Sequence, residues 1–193
     1  MRLPIEYEAT FLDINVSAIR RQLKKIGAKK IYSSFLQKRY IFNLPKNKKG
    51  SWLRLRQEKD KITMSLKVVR GSKITDQKEI CLKIDNLETA RQLLLCLGCE
   101  QKAYQENWRE LWKLNGAEIT IDHWPFLDPY LEIEDCSEKK VKNICRRLSL
   151  DYKKAIFGAA DIIYAKKYKI SLDRINNHTP KIIFNMPNPF LKK

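Results

Sequence analysis

Hydrophobic and polar residues alternate along much of this 193-residue chain, a pattern typical of β-strands that bury one face. Turn-forming stretches separate the alternating runs. The predicted strands span residues 3–12, 31–44, 51–58, 62–69, 74–84, 101–114, 117–124 and 130–136. Asn115-Gly116 is a strong signal for a two-residue hairpin, and a longer turn is predicted over residues 45–50. We therefore expect about eight strands, joined mostly as hairpins.

Other segments carry apolar residues at helical spacing, as Val16, Ile19, Leu23 and Ile26 do. The predicted helices span residues 16–26, 86–97, 137–148 and 155–168. Residues able to cap a helix N-terminus stand at or just before the start of the first three of these segments. Helices thus follow the first, the fifth and the last strand.

Antiparallel strands with alternating charge on one face can close into a barrel. A charged face can point inward only if the interior is wet and occupied. We expect an α+β fold, an eight-stranded antiparallel β-barrel with helices packed outside, over residues 1–168. Residues 169–193, where Asn and Pro are frequent, are expected to form a C-terminal extension that is either packed or loose.

Three strands place two like charges on the same face. The pairs are Glu6 with Glu8, Arg54 with Arg56, and Glu132 with Glu134. A single pair of this kind is usually a solvated strand surface, but neighbouring like charges repel unless a counter-ion bridges them. Acidic pairs suit a divalent cation and basic pairs suit a polyphosphate, so the repetition predicts a site for a metal and a phosphate chain.

The formal net charge of +17 favours anionic partners: nucleic acid, an anionic membrane or a multiply phosphorylated small molecule. Many of the lysines are scattered, so charge alone identifies no partner. The five cysteines are odd in number and unevenly spaced, which favours reduced thiols. Cys96 and Cys99 have the spacing of a redox or zinc motif, but they fit a helix end that leads into a strand better.

The first residues lack the apolar core of a signal peptide, and no apolar run approaches the ~20 residues needed to span a bilayer. We therefore expect a cytoplasmic protein without a membrane partner.

The chain resembles the CYTH family, the triphosphate tunnel metalloenzymes, through six motifs in family order over residues 1 to about 168. The family's opening Glu-x-Glu-x-Lys corresponds to residues 6–10, its basic strand to residues 52–56, and its lysine strand to residues 63–67. A later basic strand corresponds to residues 108–110, a recurrent aspartate to Asp122, and the closing acidic strand to residues 132–134. The family includes class IV adenylyl cyclases, thiamine triphosphatases and inorganic tripolyphosphatases.

The resemblance implies a tunnel in which acidic residues hold Mg²⁺ or Mn²⁺ and basic residues bind a triphosphate. The implied metal ligands are Glu6, Glu8, Asp122, Glu132 and Glu134. The implied phosphate ligands are Arg54, Arg56, Lys67 and Arg109. Glu6, Glu8 and Arg56 are the candidate catalytic residues, with Glu6 or Glu8 orienting or deprotonating the attacking water.

Three positions depart from the family pattern. Thr10 replaces the motif lysine, Asn107 stands where a lysine is common, and Cys81 stands where many relatives have an acid. Basic residues able to compensate are Lys38, Arg39, Lys78 and Lys83, but the sequence does not show where their side chains point.

The leading functional hypothesis is a metal-dependent hydrolase of tripolyphosphate, thiamine triphosphate or a nucleoside triphosphate. The same geometry would serve a class IV adenylyl cyclase or a protein that only binds polyphosphate. An RNA-binding surface is a weaker alternative. It is suggested by the basic charge together with Trp52, Trp108, Trp112 and Trp124. We further expect residues 152–168 to cover one tunnel mouth, and the resemblance allows a homodimer.

Overall fold

The computed structural model describes residues 3–46 and 49–191. The strands are β1 (Tyr7–Phe11), β2 (Lys29–Asn43), β3 (Ser51–Gln57), β4 (Ile62–Val69), β5 (Gln77–Ile84), β6 (Glu100–Leu114), β7 (Ala117–His123), β8 (Tyr130–Asp135) and β9 (Lys181–Ile182). The helices are α1 (Val16–Lys25), α2 (Leu87–Cys96), α3 (Glu138–Arg147), α4 (Ala160–Tyr168) and α5 (Leu172–Asn177). Residues 47 and 48 of the predicted turn over 45–50 lie outside the described ranges.

Eight strands form a ring in the order β1-β8-β7-β6-β2-β3-β4-β5, and all neighbours in that order are antiparallel. The ends of the ring meet where Glu6 N–H donates to the Gln77 carbonyl at 3.0 Å and Glu79 N–H donates to the Pro4 carbonyl at 3.2 Å. The expected antiparallel eight-stranded architecture with outer helices is confirmed.

The first three helices begin where side chains satisfy free backbone N–H groups. Asn15, Asn86 and Ser137 accept hydrogen bonds from the N–H groups three residues further on, at 2.9, 2.9 and 3.4 Å. The prediction of a helix from residue 155 is wrong at its start. Residues 155–157 are not helical, and Ile156 exchanges two backbone hydrogen bonds with Thr10 before α4 begins at Ala160.

Strand alternation decides which residues face the helices. Ala9, Ile119 and Ile133 are fully buried in a core that also contains Leu23 of α1 and Val141 of α3. A second core lies between α2 and the β2–β3 pair, where Phe42 and Leu55 pack on Leu94. Because these residues point outward from the ring, their neighbours along each strand point into it.

The chain beyond α4 packs on one end of the barrel. Strand β9 pairs in parallel with Tyr104 and Gln105 of β6, past the end of β7. Trp124 and Tyr130 continue the inward-facing positions of β7 and β8, and they pack in an apolar cluster. The other members of this end cluster are Leu127, Ile163, Tyr164, Ile175, Ile182 and Phe190. One end of the barrel is therefore apolar and closed.

The segment expected to cover a mouth divides between two places. Ile163 and Tyr164 of α4 belong to the end cluster, whereas Tyr152 and Phe157 pack on the core beneath α1 and α3. Within the described residues, no helix combines the length and hydropathy required to cross a bilayer.

Candidate active site

All nine predicted site residues lie on the inner face of the ring. Register pairs Glu8 with Glu134 and Arg109 with Asp122. On the opposite wall, Arg54 and Arg56 alternate with the outward, fully buried Leu55. The strand period of two thus produces a charged tunnel, with carboxylates mainly on β1, β7 and β8 and cations mainly on β3, β4 and β6.

Three carboxylates converge at one point of the tunnel. Oxygen atoms of Glu6, Glu8 and Glu134 all lie within 4.8 Å of one another. Burial raises the pKa of Glu6 to about 7, although Lys67 opposes this shift. Burial, followed by the charges of Glu132 and Glu6, raises the pKa of Glu8 well above its usual range. Hard divalent cations take such oxygen ligands, so this group fits Mg²⁺ or Mn²⁺ by its donor chemistry.

Asp122 and Glu132, the other two predicted metal ligands, are paired with a cation. The Arg109 guanidinium donates through Nε to Asp122 Oδ1 at 2.7 Å, through Nη2 to Asp122 Oδ2, and through Nη2 to Glu132 Oε2 at 2.7 Å. Asp122 is fully buried, and burial together with Asp122 raises the pKa of Glu132 to about 7. Arg109 therefore serves here as the counter-ion of two carboxylates.

Lys67 joins the acidic and basic walls. Its Nζ lies 2.8 Å from Glu6 Oε2 and 3.2 Å from Glu79 Oε2, while Arg54 Nη2 donates to Glu79 Oε1 at 2.9 Å. Burial opposes ionisation of Glu79, but the charges of Arg54 and Lys67 outweigh it and hold the pKa of Glu79 far below its usual range. Sequence reasoning left Glu79 out of the site. The missing signal was its register opposite Lys67, which requires the pairing of β4 with β5.

The basic wall carries donors without protein partners. Arg56 binds Glu58, with Nη2 to Oε1 at 2.8 Å. Within the described residues, the buried polar atoms Arg39 Nε, Arg54 Nε, Thr63 Oγ1 and Ser65 Oγ have no hydrogen-bond partner. All four belong to residues at inward-facing positions of β2, β3 and β4. Such a concentration of unpaired donors suits an anion rich in oxygen atoms.

The three positions that depart from the family pattern also lie on the inner face of the ring. Thr10 and Asn107 are buried there, and Cys81 occupies an inward position that is exposed. Among the four basic residues considered as compensation, Arg39 is buried in the tunnel beside Asn107. Lys38 is exposed on the other face of the same strand, and Lys83 is exposed near the end of β5.

The tryptophans give little support to an RNA-binding surface. Trp112 and Trp124 are buried, whereas Trp108 is 39% exposed. Stacking on single-stranded bases needs accessible aromatic faces, so these positions suit packing better.

The raised pKa values predict how stability depends on pH without metal. The pKa values of Glu6 and Glu132 are raised from 4.5 to about 7 in the folded protein. Between pH 4.5 and pH 7, the folded protein therefore keeps protons on these carboxylates that the unfolded chain has released. We therefore expect the free energy of unfolding in EDTA to fall as the pH rises from 5 to 8. Urea unfolding at each pH measures it, and Glu6→Gln should flatten the slope. A slope that stays equal in both proteins would contradict the prediction.

Comparison with known proteins agrees with this fold and tunnel. A model of the CYTH domain family matches residues 4–162, so the chain belongs to the CYTH family. A Methanocaldococcus jannaschii protein named "Putative adenylate cyclase" is 27% identical over 168 residues, which cover 85% of this chain and 96% of that protein.

Two solved structures share the fold at low identity. A Vibrio parahaemolyticus protein with the same designation has a TM-score of 0.73 at 14% identity, covering 85% of this chain and 99% of its own. A Hippeastrum protein, described as an adenylyl cyclase candidate with a dominant triphosphatase activity, has a TM-score of 0.53 at 14% identity. That match covers 87% of this chain and 98% of the Hippeastrum chain.

Proposed function

We propose that this protein is a Mg²⁺- or Mn²⁺-dependent hydrolase that cleaves a small triphosphate by in-line attack of water inside the tunnel. The observation that carries the proposal is the convergence of Glu6, Glu8 and Glu134 in the same tunnel as a basic wall that holds unpaired guanidinium and hydroxyl donors. The substrate class is a tripolyphosphate chain, either free or carried by thiamine or a nucleoside.

The basic residues would hold the phosphate chain and the acidic residues would hold the cation. Arg54 and Arg56 present planar guanidiniums that can each bind two phosphate oxygens, and Lys67 adds a point charge between the walls. Donors fixed in a buried tunnel would stabilise charge that develops on the transferred and leaving phosphates. A bound divalent cation supplies charge neutralisation and lowers the pKa of water.

Carboxylates of the converging group would also accept the proton of the attacking water. The raised pKa values of Glu6 and Glu8 mean that each can accept a proton near neutral pH more readily than an ordinary glutamate. Glu6 already contacts Lys67, so Glu8 is the carboxylate less committed to a cation in the tunnel.

An adenylyl cyclase is the second candidate, because the Methanocaldococcus jannaschii relative is named "Putative adenylate cyclase" and the match covers 96% of that protein. In this reaction the ribose 3′-hydroxyl of ATP replaces water as the nucleophile, and the products are cyclic AMP and pyrophosphate. The tunnel would bind the triphosphate in the same manner in both reactions.

The test is a product assay on the whole protein with tripolyphosphate, thiamine triphosphate or ATP, each with Mg²⁺ or Mn²⁺. Released orthophosphate, pyrophosphate and cyclic AMP are measured separately. We expect orthophosphate with at least one substrate and none in EDTA. Cyclic AMP with stoichiometric pyrophosphate would establish the cyclase instead. Binding of triphosphate with no product from any substrate would leave a binding protein and overturn the enzyme proposal.

A further inference from the structure

Arg39 is a buried cation to which the hydrolase proposal assigns no particular phosphate. Its side chain is held by neutral groups: Nη2 donates to Gln37 Oε1 at 2.9 Å and to Asn107 Oδ1, and the guanidinium lies 4.4 Å from the centroid of the Trp124 ring. The residue is only 5% exposed. Among the described residues, Arg39 has no ion pair with a carboxylate, and its Nε has no partner.

The surroundings of Arg39 are strongly basic. Arg39 pairs in register with Arg56, and the next inward residue of β2, Ile41, pairs with Arg54. Burial, followed by the charges of Arg54, Arg56 and Arg109, lowers the pKa of Arg39 to about 9. A buried charge among like charges is costly unless an opposite charge joins it. This part of the tunnel is therefore suited to an anion.

Arg39 also marks the end of the charged region. Trp124, on which its guanidinium rests, belongs to the end cluster together with Tyr164 of α4 and Ile182 of β9. Beyond Arg39 the tunnel is thus apolar and closed. A phosphate chain that extends from the carboxylates along Arg54 and Arg56 would have its last charged contact here.

We propose that Arg39 binds the phosphate farthest from the carboxylate cluster and thereby selects a chain of three phosphates over a chain of two. The inference rests on the proposed function, since it assigns one end of the same triphosphate. Asn107 and Gln37 position the guanidinium without neutralising it, which leaves its Nε free for a phosphate oxygen.

Isothermal titration of the full chain with tripolyphosphate and with pyrophosphate, in EDTA so that neither turns over, tests the assignment. Arg39→Gln should weaken tripolyphosphate binding about 10- to 100-fold, as expected for a lost charge-assisted hydrogen bond, and pyrophosphate binding less than about threefold. Lys38→Gln, an exposed neighbour on the other face of β2, should leave both affinities unchanged.

Asn107→Asp is a second variant that keeps Arg39 and the side-chain shape but places a carboxylate against the guanidinium. It should lower tripolyphosphate affinity selectively without impairing folding, since it supplies the missing counter-ion. Equal losses for both ligands in Arg39→Gln, or unchanged tripolyphosphate affinity in Asn107→Asp, would overturn the role of Arg39. If the unaltered protein binds neither ligand, even with Mn²⁺, and forms no product, the proposed function itself fails.

Discussion

Glu8→Gln should lower the rate of triphosphate cleavage by about a thousandfold, which corresponds to about 4 kcal/mol of transition-state stabilisation. Glu8 belongs to the carboxylate group that also includes Glu6 and Glu134, and glutamine offers one neutral oxygen in place of a charged ligand. The same change should abolish the rise in melting temperature that Mn²⁺ gives the unaltered protein. For a ligand at a hundred times its Kd, that rise corresponds to about 2.7 kcal/mol.

The loss should not come from unfolding. Because burial and the charges of Glu132 and Glu6 raise the pKa of Glu8, removing its charge relieves repulsion. Glu8→Gln should therefore be at least as stable as the unaltered protein in EDTA at pH 8. Glu106→Gln, the same change on the outer face of β6, serves as the matched control and should keep both cleavage and Mn²⁺ stabilisation. A Glu8→Gln protein that still cleaves at more than a tenth of the normal rate would rule out this role.

Strand alternation explains why much of the tunnel could be predicted from the sequence. The charges at Glu6, Glu8, Arg54 and Arg56 stand at every second position, and the residues between them are apolar or aromatic, so each strand has one face suited to a core. Once helices follow the first and last strands, the apolar faces acquire partners outside the ring. Closing the sheet then sends the charges inward, as the structure shows for these residues.

Features that depend on pairing between strands could not be obtained in this way. Glu79 enters the site because β5 sets it opposite Lys67, and Arg109 neutralises Asp122 because β6 and β7 are neighbours. The inward direction of Arg39 follows from its register opposite Arg56, which requires the pairing of β2 with β3. The closed end is a tertiary feature as well, since the short strand β9 offers no periodicity of its own.

Arg109→Leu should lower the free energy of unfolding by about 3–5 kcal/mol, the range for removing one partner of a buried ion pair. Arg109 binds both Asp122, whose side chain is almost inaccessible, and Glu132. Leucine would leave two buried carboxylates close together with no cation between them. Urea denaturation at pH 8 measures the effect, because this pH lies above the pKa of about 7 that burial and Asp122 give Glu132.

Asp122→Asn in the Arg109→Leu background separates electrostatics from packing. If the cost arises from the unpaired carboxylates, the double variant should recover a large part of the lost stability, since only Glu132 then remains charged. Arg109→Lys should also lose less than Arg109→Leu, because an ammonium retains the charge but cannot bind both carboxylates in the same geometry. A double variant as unstable as Arg109→Leu alone would show that Arg109 stabilises the barrel through the packing of its side chain. In that case the carboxylates would not depend on Arg109 for their burial.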